Sequence, residues 1–343
     1  MSAAVNRQIV LVNRPVGEAR ESDFALVEAP VPEPGAGQFL CRTIYLSLDP
    51  YMRGRMNAGA SYARPAELGK AMVGGTVSQV IRSEHPGFAV RDLVLGYDGW
   101  QEYAVSDGKG VRKLDPRQGH ISYALGVLGM PGMTAYVALL DIGRPKVGET
   151  VVVSAAAGAV GSVVGQIARI KGCRAVGIAG SDEKCSFVVN ELHFDACVNY
   201  KTGDLGQALA RACPAGIDVY YDNVAGPVLE AVLRQINRGA RIPLVGLISQ
   251  YNAPKPPPGP NLVSLLIKRA LIQGFIVSDH EDRRDEFLRD VSGWLREGKL
   301  KYREDVVQGL ENAPRAFLGL FQGKNFGKLI VQLSPDPTKP GTA

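Results

Sequence analysis

Apolar and polar positions alternate over short distances in the first 125 residues. Short apolar or alternating runs, separated by proline and glycine clusters, are typical of β-strands. The runs are Gln8–Val12, Phe24–Glu28, Gln38–Leu48, Met72–Ile81 and Leu93–Gly96. Several short strands joined by turns predict a partly closed barrel over residues 1–125.

From residue 126 to about 300 the pattern changes to strands that alternate with longer amphipathic segments. We predict strands at Val151–Val153, 174–180, Ala196–Tyr200, Val219–Tyr221, Ile242–Leu247 and Gln273–Val277, and helices at 158–171, 182–192, 226–237, 261–270 and 281–297. Ser181 is the expected N-cap of the second helix, with acidic residues in its first turn. Such alternation predicts a doubly wound parallel sheet.

A last predicted strand, Lys328–Leu333, is expected to return to the first domain. The fold class is therefore α/β, with a β-rich domain and a nucleotide-binding domain. We expect residues 1–125 and 305–343 to form the β-rich substrate and catalytic domain, and residues 126–304 to form the nucleotide-binding domain. A ligand is expected in a cleft between such domains.

A glycine turn follows the strand Val151–Val153. Small residues are followed by Gly158, Gly161 and Gly165. Backbone N–H groups at a helix start can face a pyrophosphate, and the third glycine is expected to let helix and strand pack closely. Small residues also serve simple packing, but the strands on either side of this helix favour a dinucleotide site.

The choice between NAD and NADP depends on the end of the next strand. An NAD site places an acid about 20 residues after the glycines. Here Ser181 occupies that place, and Asp182 fits better as a first-turn helix residue. Lys184 is positioned to reach a 2′-phosphate and Tyr200 to donate a second hydrogen bond. Both could instead be a solvated lysine and a strand-end aromatic, so the residues favour NADP without excluding NAD.

The composition of the chain limits the kinds of molecule that it is expected to bind. The chain has 343 residues, the length of about two domains, and a net charge of +5. Lysine and arginine are scattered, and the aromatic residues do not interleave with them, so nucleic acid is not an expected partner. No stretch has the 18 apolar residues of a membrane span, and a secretory signal is not apparent.

Cysteine and histidine usage indicates neither disulfides nor a metal. The five cysteines form no C-x-x-C pair, and their odd number disfavours a disulfide framework. A reducing, cytoplasmic location is expected. The four histidines are isolated and share no ligand spacing with cysteine, so we expect no metal site.

Several motifs together carry a family resemblance. They are Asp-Pro-Tyr-Met-Arg at 49–53, Leu-Gly-Met-Pro-Gly-Met-Thr at 128–134, Ala-Ala-Ala-Gly-Ala-Val-Gly-Ser-Val-Val-Gly at 155–165, Gly-Ser-Asp-Glu-Lys at 180–184, Asn-Tyr-Lys at 199–201, Tyr-Asp-Asn at 221–223, Gly-Phe-Ile-Val at 274–277 and Lys-Asn-Phe-Gly-Lys at 324–328. Over nearly its whole length the chain resembles the zinc-independent medium-chain dehydrogenase/reductases. The nearest branch is the NADPH-dependent alkene reductases, with leukotriene B4 dehydrogenase/prostaglandin reductase, plant double-bond reductase and bacterial curcumin reductase.

The resemblance implies a GroES-like partly open barrel beside a Rossmann domain, a homodimer and NADPH as cofactor. It implies that Gly158, Ala159, Val160 and Gly161 hold the pyrophosphate, and that Lys184 and Tyr200 bind the 2′-phosphate. The other implied cofactor residues are Met130, Thr134, Asn223, Val245, Gly246, Leu247, Ile248, Ser249, Tyr251, Phe275, Ile276, Val277 and Asn325. From the residues alone, Asn325 could only shape a turn, Met130 fill a core, and Thr134 bond its own helix.

Zinc-dependent relatives carry a Gly-His-Glu segment where this chain has Leu68–Gly75. Without a metal, the substrate must activate its own bond, as an α,β-unsaturated aldehyde or ketone does. The expected reaction is hydride addition to the β-carbon, with a hydrogen-bond donor at the enolate oxygen. The candidate donors are Tyr51, Tyr251 and the cofactor ribose, and water could supply the proton. Tyr51 could also be a packing residue.

Two alternatives to an enal or enone reductase stay open at this point. The same cleft could serve a quinone reductase. A protein that binds the cofactor without turnover would keep the same motifs.

Overall fold

The structure is a computed structural model that describes residues 5–339. These residues divide into a first unit of ranges 5–125, 304–325 and 329–339, and a second unit of ranges 126–303 and 326–328. The ends of the predicted first domain, residues 1–4 and 340–343, lie outside the described residues. Within 5–339, no helix has the length and apolar character needed to cross a membrane.

The first unit begins with short strands and one short helix. The elements are β1 (Val5–Leu11), β2 (Phe24–Pro30), β3 (Phe39–Ser47), α1 (Tyr51–Arg55), β4 (Thr76–Ser83), β5 (Leu93–Gly96), β6 (Tyr103–Ser106) and β7 (Arg112–Lys113). β1 and β2 pair antiparallel, and alternate residues of β2 are exposed, as expected for a strand with one covered face.

The second unit alternates strands and helices. Its elements are α2 (Met130–Val137), which continues as a π-helical turn to Gly143, β8 (Thr150–Ser154), α3 (Gly161–Ile170), β9 (Arg174–Ala179), α4 (Asp182–Asn190), β10 (Ala196–Asn199), α5 (Leu205–Ala212), β11 (Ile217–Tyr221), α6 (Gly226–Leu233), β12 (Ile236–Leu244), α7 (Val263–Lys268), β13 (Leu271–Gly274) and α8 (Arg284–Arg296).

The chain then returns to the first unit through β14 (Glu304–Gln308), α9 (Ala313–Phe321) and β15 (Lys328–Gln332). β15 pairs antiparallel with β3 in a seven-stranded sheet of order β14-β15-β3-β4-β5-β7, with β6 also on β3. The core of this unit contains Trp100 stacked on Phe24, with their ring centroids 5.4 Å apart, and Phe317 edge-on to both.

The sheet of the second unit has six parallel strands in the order β10-β9-β8-β11-β12-β13. This order is that of a doubly wound dinucleotide-binding sheet, with the reversal between β8 and β11. Every residue of β8 is buried because helices cover both faces, which explains its unbroken β-branched run. The predicted α/β fold class, a mostly β unit and a doubly wound parallel sheet, is confirmed.

Several predicted boundaries were wrong. The first helix was placed at 158–171, but α3 begins at Gly161 because a turn centred on Ala155–Gly158 precedes it. The helix predicted over 226–237 ends at Leu233, and β12 begins at Ile236, whose buried side chain pairs with β11. Helix α5, capped by Asp204, was not predicted.

Candidate functional site

The carboxyl ends of the parallel strands bring most of the predicted cofactor residues to one edge of the sheet. The register aligns Ala179 with Asn199, Ser154 with Ile178, Tyr221 with Val153, and Leu244 with both Asp222 and Gly274. Residues just past these ends therefore share an edge. Ligands of open α/β sheets bind at this edge, beside the reversal in strand order.

The turn between β8 and α3 is shaped for close approach by a ligand. Ala155 has a φ of +52°, in the left-handed region that non-glycine residues rarely adopt. A Cβ at Gly161 would lie 2.3 Å from the Ala155 carbonyl oxygen, and one at Gly158 would lie 3.2 Å from it. Any side chain at Gly161 would therefore displace the turn.

The same turn offers hydrogen-bond donors. For the N–H groups of Val160 and Gly161, residues 5–339 provide no acceptor. These residues lie at the N-terminus of the ten-residue helix α3, where the helix dipole favours an anion. Unpaired N–H groups with the positive end of a helix dipole fit a pyrophosphate.

The third glycine of the motif has a different role from the one expected. A Cβ at Gly165 would meet the Phe194 ring at 1.9 Å, so this glycine makes room for a side chain that follows α4. The close contact with β9 is made by the turn itself: a Cβ at Gly177 would lie 2.8 Å from Ala156. Gly165 therefore allows close packing as predicted, but it packs against the Phe194 ring and not against a strand.

The ends of β9 and β10 form the predicted 2′-phosphate site. Ser181 caps α4 as expected, with its hydroxyl accepting from the Lys184 N–H at 3.2 Å. Tyr200 lies over Gly180: a Cβ there would be 3.3 Å from the Tyr200 hydroxyl and 3.4 Å from Lys201 Cε. Lys201 Nζ lies 5.8 Å from the Tyr200 ring centroid. The structure thus adds Lys201, the last residue of the Asn-Tyr-Lys motif, to the predicted site.

Asn223 is held beside the turn by β8. Its backbone N–H donates to Ser154 Oγ at 2.9 Å, and its side-chain amide donates to the Ser154 carbonyl at 2.8 Å. The neighbouring Asp222 accepts from Tyr220 and from the N–H groups of Val224 and Ala225. This buried carboxylate fixes the turn in which Asn223 lies, and its burial raises its pKa.

The segment 245–249 lies on that turn. The N–H groups of Val245 and Gly246 donate to the Asp222 carbonyl, and those of Ile248 and Ser249 donate to the carbonyls of Asn223 and Val224. A Cβ at Gly246 would lie 3.0 Å from the Asn223 carbonyl oxygen. The predicted residues of this segment are thus brought together with Asn223.

Residues 275–277 extend the same edge. The Phe275 N–H donates to Leu244 at 3.1 Å, and the buried Phe275 ring stacks on His280 at 4.8 Å. Ile276 and Val277 follow, at the start of a 3₁₀ turn. This segment therefore lies beside 245–247 in the second unit.

Two predicted cofactor residues, Met130 and Thr134, lie on α2. Thr134 Oγ1 donates to the Met130 carbonyl at 2.7 Å, so its hydroxyl bonds its own helix, the plainer alternative considered for it. The Thr134 carbonyl accepts from Tyr221 of β11 at 2.8 Å. Met130 is half-buried at the first turn. Both remain predictions as cofactor contacts.

The segment 326–328 of the second unit crosses the glycine turn. Gly327 donates to the Ala157 carbonyl at 3.0 Å and forms a parallel bridge with Gly158. Asn325 precedes this segment by one residue and belongs to the first unit. Its cofactor role remains a prediction.

The two candidate tyrosines belong to different units. In the second unit, the hydroxyl of Tyr251 accepts from the Leu247 N–H at 3.3 Å, and burial raises the pKa of Tyr251. In the first unit, Tyr51 begins α1, and burial followed by the nearby Asp49 raises its pKa. Both hydroxyls therefore stay protonated near neutral pH. Tyr62 and Tyr97, which the sequence analysis did not select, lie close enough to Tyr51 to affect its pKa.

No three of the His, Cys, Asp and Glu side chains described by the structure come together as metal ligands. The histidines have other surroundings. His85 packs against Phe39 and Phe88, His280 stacks on Phe275, and His120 lies 3.5 Å from Asp336.

Comparisons with known proteins agree with this geometry. A family described as N-terminal domain of oxidoreductase matches residues 7–114, and one described as zinc-binding dehydrogenase matches residues 159–292. The chain is 52% identical over 337 residues to the NADPH-dependent curcumin reductase of Escherichia coli (strain K12), with 96% of this chain and 98% of the relative covered.

Two further matches extend the comparison. The 2-alkenal reductase (NADP(+)-dependent) of Nicotiana tabacum is 42% identical over 336 residues, covering 96% of this chain and 98% of that protein. The crystal structure of CurA in complex with NADPH from Vibrio vulnificus has 54% identity and a TM-score of 0.93, covering 96% of this chain and 100% of CurA.

Proposed function

Since the chain is an oxidoreductase of the medium-chain dehydrogenase/reductase family, in its branch of NADPH-dependent alkene reductases, we propose that it reduces the C=C bond of α,β-unsaturated aldehydes and ketones. The observation that carries the proposal is the carboxyl edge of the parallel sheet. It has unpaired N–H groups at the start of α3, one lysine in the first turn of α4 and a second lysine just after β10. The relatives named above act with NADPH, and the proposal extends that cofactor to this chain.

In this proposal the cofactor lies along the edge. The turn Gly158–Gly161 would hold the pyrophosphate, with the N–H groups of Val160 and Gly161 as donors, and Lys184, Tyr200 and Lys201 would hold the 2′-phosphate. Bound NADPH would supply a hydride for the β-carbon of the substrate. Segments 245–249 and 275–277 hold the ribose and nicotinamide portions.

The chain contributes a hydrogen-bond donor for the enolate oxygen. Negative charge moves to that oxygen when hydride adds to the β-carbon, and an aimed donor lowers the barrier. Burial raises the pKa of Tyr51 and of Tyr251, so each phenol keeps its proton and can donate. The exposed aromatic rings of Tyr62 and Tyr97 support an apolar conjugated substrate near Tyr51.

The test is turnover of NADPH with a panel of small enals, enones and quinones, with products identified by NMR. The expected product keeps its carbonyl and gains hydrogen across the C=C bond. Deuterium from C4-labelled NADPH is expected on the β-carbon. Turnover of quinones alone would favour the quinone-reductase alternative, and NADPH binding without oxidation by any acceptor would favour a non-catalytic protein.

We also propose a homodimer formed at the outer edge of the second unit. β13 ends the six-stranded sheet, and all four of its residues are exposed. The adjacent α7 exposes Leu266 and Ile267, at 79% and 58%. An exposed apolar edge strand is a template for pairing, and a second copy can satisfy it symmetrically. Sedimentation of the wild type against Ile272→Lys tests this: a dimer is expected for the former, and a monomeric wild type contradicts it.

A further inference from the structure

Two cysteine thiols lie together beside the predicted 2′-phosphate site. Cys185 is in the first turns of α4 and Cys197 is in β10, on which α4 packs. Both residues line the same cavity, and a side-chain hydrogen-bond interaction between their thiols shifts the pKa of each. They are twelve residues apart in sequence and form none of the short spacings by which paired cysteines are recognised.

Both cysteine residues are partly accessible to solvent. Neither residue is buried, whereas Cys41, Cys173 and Cys213 are. Both line an open cavity of about 470 Å³ together with Arg174, Asp182 and Arg211. A small oxidant can therefore approach this pair and not the three buried cysteines.

The pKa values of the two thiols are shifted in opposite directions. The hydrogen bond from Cys197 is the main reason that the pKa of Cys185 is lowered, against burial and the nearby Asp182 carboxylate. Donating that bond, together with burial, raises the pKa of Cys197. Cys185 is therefore the thiol of the pair that ionises more readily, and a thiolate is the nucleophilic form of cysteine.

We propose that Cys185 and Cys197 form a peroxide-sensitive modification site that closes to a disulfide. The Cys185 thiolate attacks one oxygen of hydrogen peroxide, its sulfur becomes a sulfenic acid, and hydroxide leaves. Cys197 sulfur then attacks the Cys185 sulfur, the S–S bond forms, and the sulfenic hydroxyl leaves with the Cys197 proton as water. The two sulfurs lose two electrons in total, and the peroxide gains them.

Closure of the disulfide alters the neighbouring site. A disulfide holds its sulfurs about 2.05 Å apart, closer than two hydrogen-bonded thiols, so α4 and β10 must shift. Lys184 directly precedes Cys185, and Tyr200 lies three residues after Cys197. Asn199 also donates to Asp182 at 2.8 Å, which links the two elements at the same end. This consequence rests on the proposed binding of NADPH: we expect its Kd to rise about tenfold on oxidation, as for one lost charged hydrogen bond.

Mass spectrometry of the full chain after limited peroxide treatment tests the site itself. We expect a cross-linked peptide pair containing Cys185 and Cys197, with the loss of two hydrogen atoms, and its reversal by dithiothreitol. Cys197→Ser is expected to accumulate a sulfenic acid at Cys185 that dimedone traps. Cys185→Ser is expected to give neither product, and Cys213→Ala is the control that keeps the cross-link.

Different results would overturn the disulfide site and its effect on cofactor binding. No cross-link in the wild type, or equal dimedone labelling in both single serine variants, overturns the site whatever the enzyme does with enones. A cross-link with unchanged Kd for NADPH overturns the coupling to cofactor binding. Titration of NADPH and NADH by fluorescence, in the oxidised and reduced protein, supplies that readout without any substrate.

Discussion

The two edges of the six-stranded parallel sheet use polar groups in opposite ways. At the amino edge, side chains satisfy the strand ends. Asp218 accepts from the Thr150 N–H, Asp195 accepts from the Ala175 N–H, and Arg241 pairs with Glu149. Arg241 also donates to the carbonyls of Gly143 and Arg144.

At the carboxyl edge, backbone groups are left without partners and the chain is strained. Two consecutive N–H groups, of Val160 and Gly161, have no acceptor in the described part of the chain. Ala155 and Ala225 both have positive φ angles. Strain and unmet donors are costly unless a ligand uses them, so the difference shows which edge is built for binding and which for stability.

The largest expected effect comes from adding a side chain to the glycine turn between β8 and α3. Gly161→Ala places a Cβ 2.3 Å from the Ala155 carbonyl oxygen, so the turn must move. We expect the Kd for NADPH to rise at least about 100-fold, measured by fluorescence titration. Gly158→Ala, with its 3.2 Å contact, is expected to have a smaller effect.

Gly293→Ala in α8 is the matched control, because a Cβ there meets open space. It is expected to leave NADPH affinity unchanged and to stabilise the helix slightly. Wild-type affinity in a folded Gly161→Ala protein would remove the turn from the cofactor site.

A substitution at the amino edge of the sheet is expected to lower the free energy of unfolding and to leave NADPH binding unchanged. Arg241→Met removes the side-chain donor to Glu149 and to the carbonyls of three residues, Gly143, Arg144 and Asp218. We expect a cost of about 2–3 kcal/mol in the free energy of unfolding. Denaturant unfolding measures this loss. The exposed Arg234→Met is the control and should change stability little. A large loss of NADPH affinity in folded Arg241→Met would contradict the division between the edges.

Substitution of the two lysines at the carboxyl edge tests whether they give the protein its preference for NADPH over NADH. Lys184→Ala is expected to raise the Kd for NADPH about tenfold while leaving that for NADH unchanged. Lys201→Ala is expected to do the same by about threefold, because its side chain is exposed and its charge is more screened. Titration with both nucleotides checks this, and an unchanged preference would remove the substituted lysine from the phosphate site.

The smallest effect is the pH dependence of the amino edge. Burial by itself raises the pKa of Glu149, but hydrogen bonds from Arg241 and the Lys146 N–H outweigh it and leave the pKa lowered. The folded protein thus binds this proton less tightly than the unfolded chain. The stabilisation is fully present above the unfolded pKa, about 4.3, and is lost as pH falls through the lower folded value.

Wild type and Arg241→Met should therefore converge in stability by up to about 1 kcal/mol between roughly pH 5 and pH 3, allowing for solvent screening. Unfolding by urea across this range measures the convergence. A difference that stays constant with pH would show that the Glu149 charge contributes nothing.

Sequence reasoning succeeded where structure is set by neighbours along the chain. The β-branched run of β8, the glycines before α3 and the Ser181 cap are local signals, and the family resemblance they carried is confirmed. It failed where packing decides. β12 begins within a segment that was predicted to be helical, because Ile236 pairs with Ile217 of β11.

The contacts between distant residues show the same limit. The Cys185–Cys197 pair depends on how α4 packs on β10. The position of Lys201 over Gly180 depends on the pairing of β10 with β9. No spacing rule reports such contacts, since they follow from the register of parallel strands and not from the distance between residues in sequence.

The sequence by itself determined the change from short strands to a strand and helix alternation, the glycine turn and the family, because strand, helix and turn preferences act over a few residues. Only the tertiary structure decided which groups meet at the strand ends and which donors stay unpaired. Parallel pairing joins segments far apart in the chain, and the free energy of a buried polar group depends on the partner that folding brings to it.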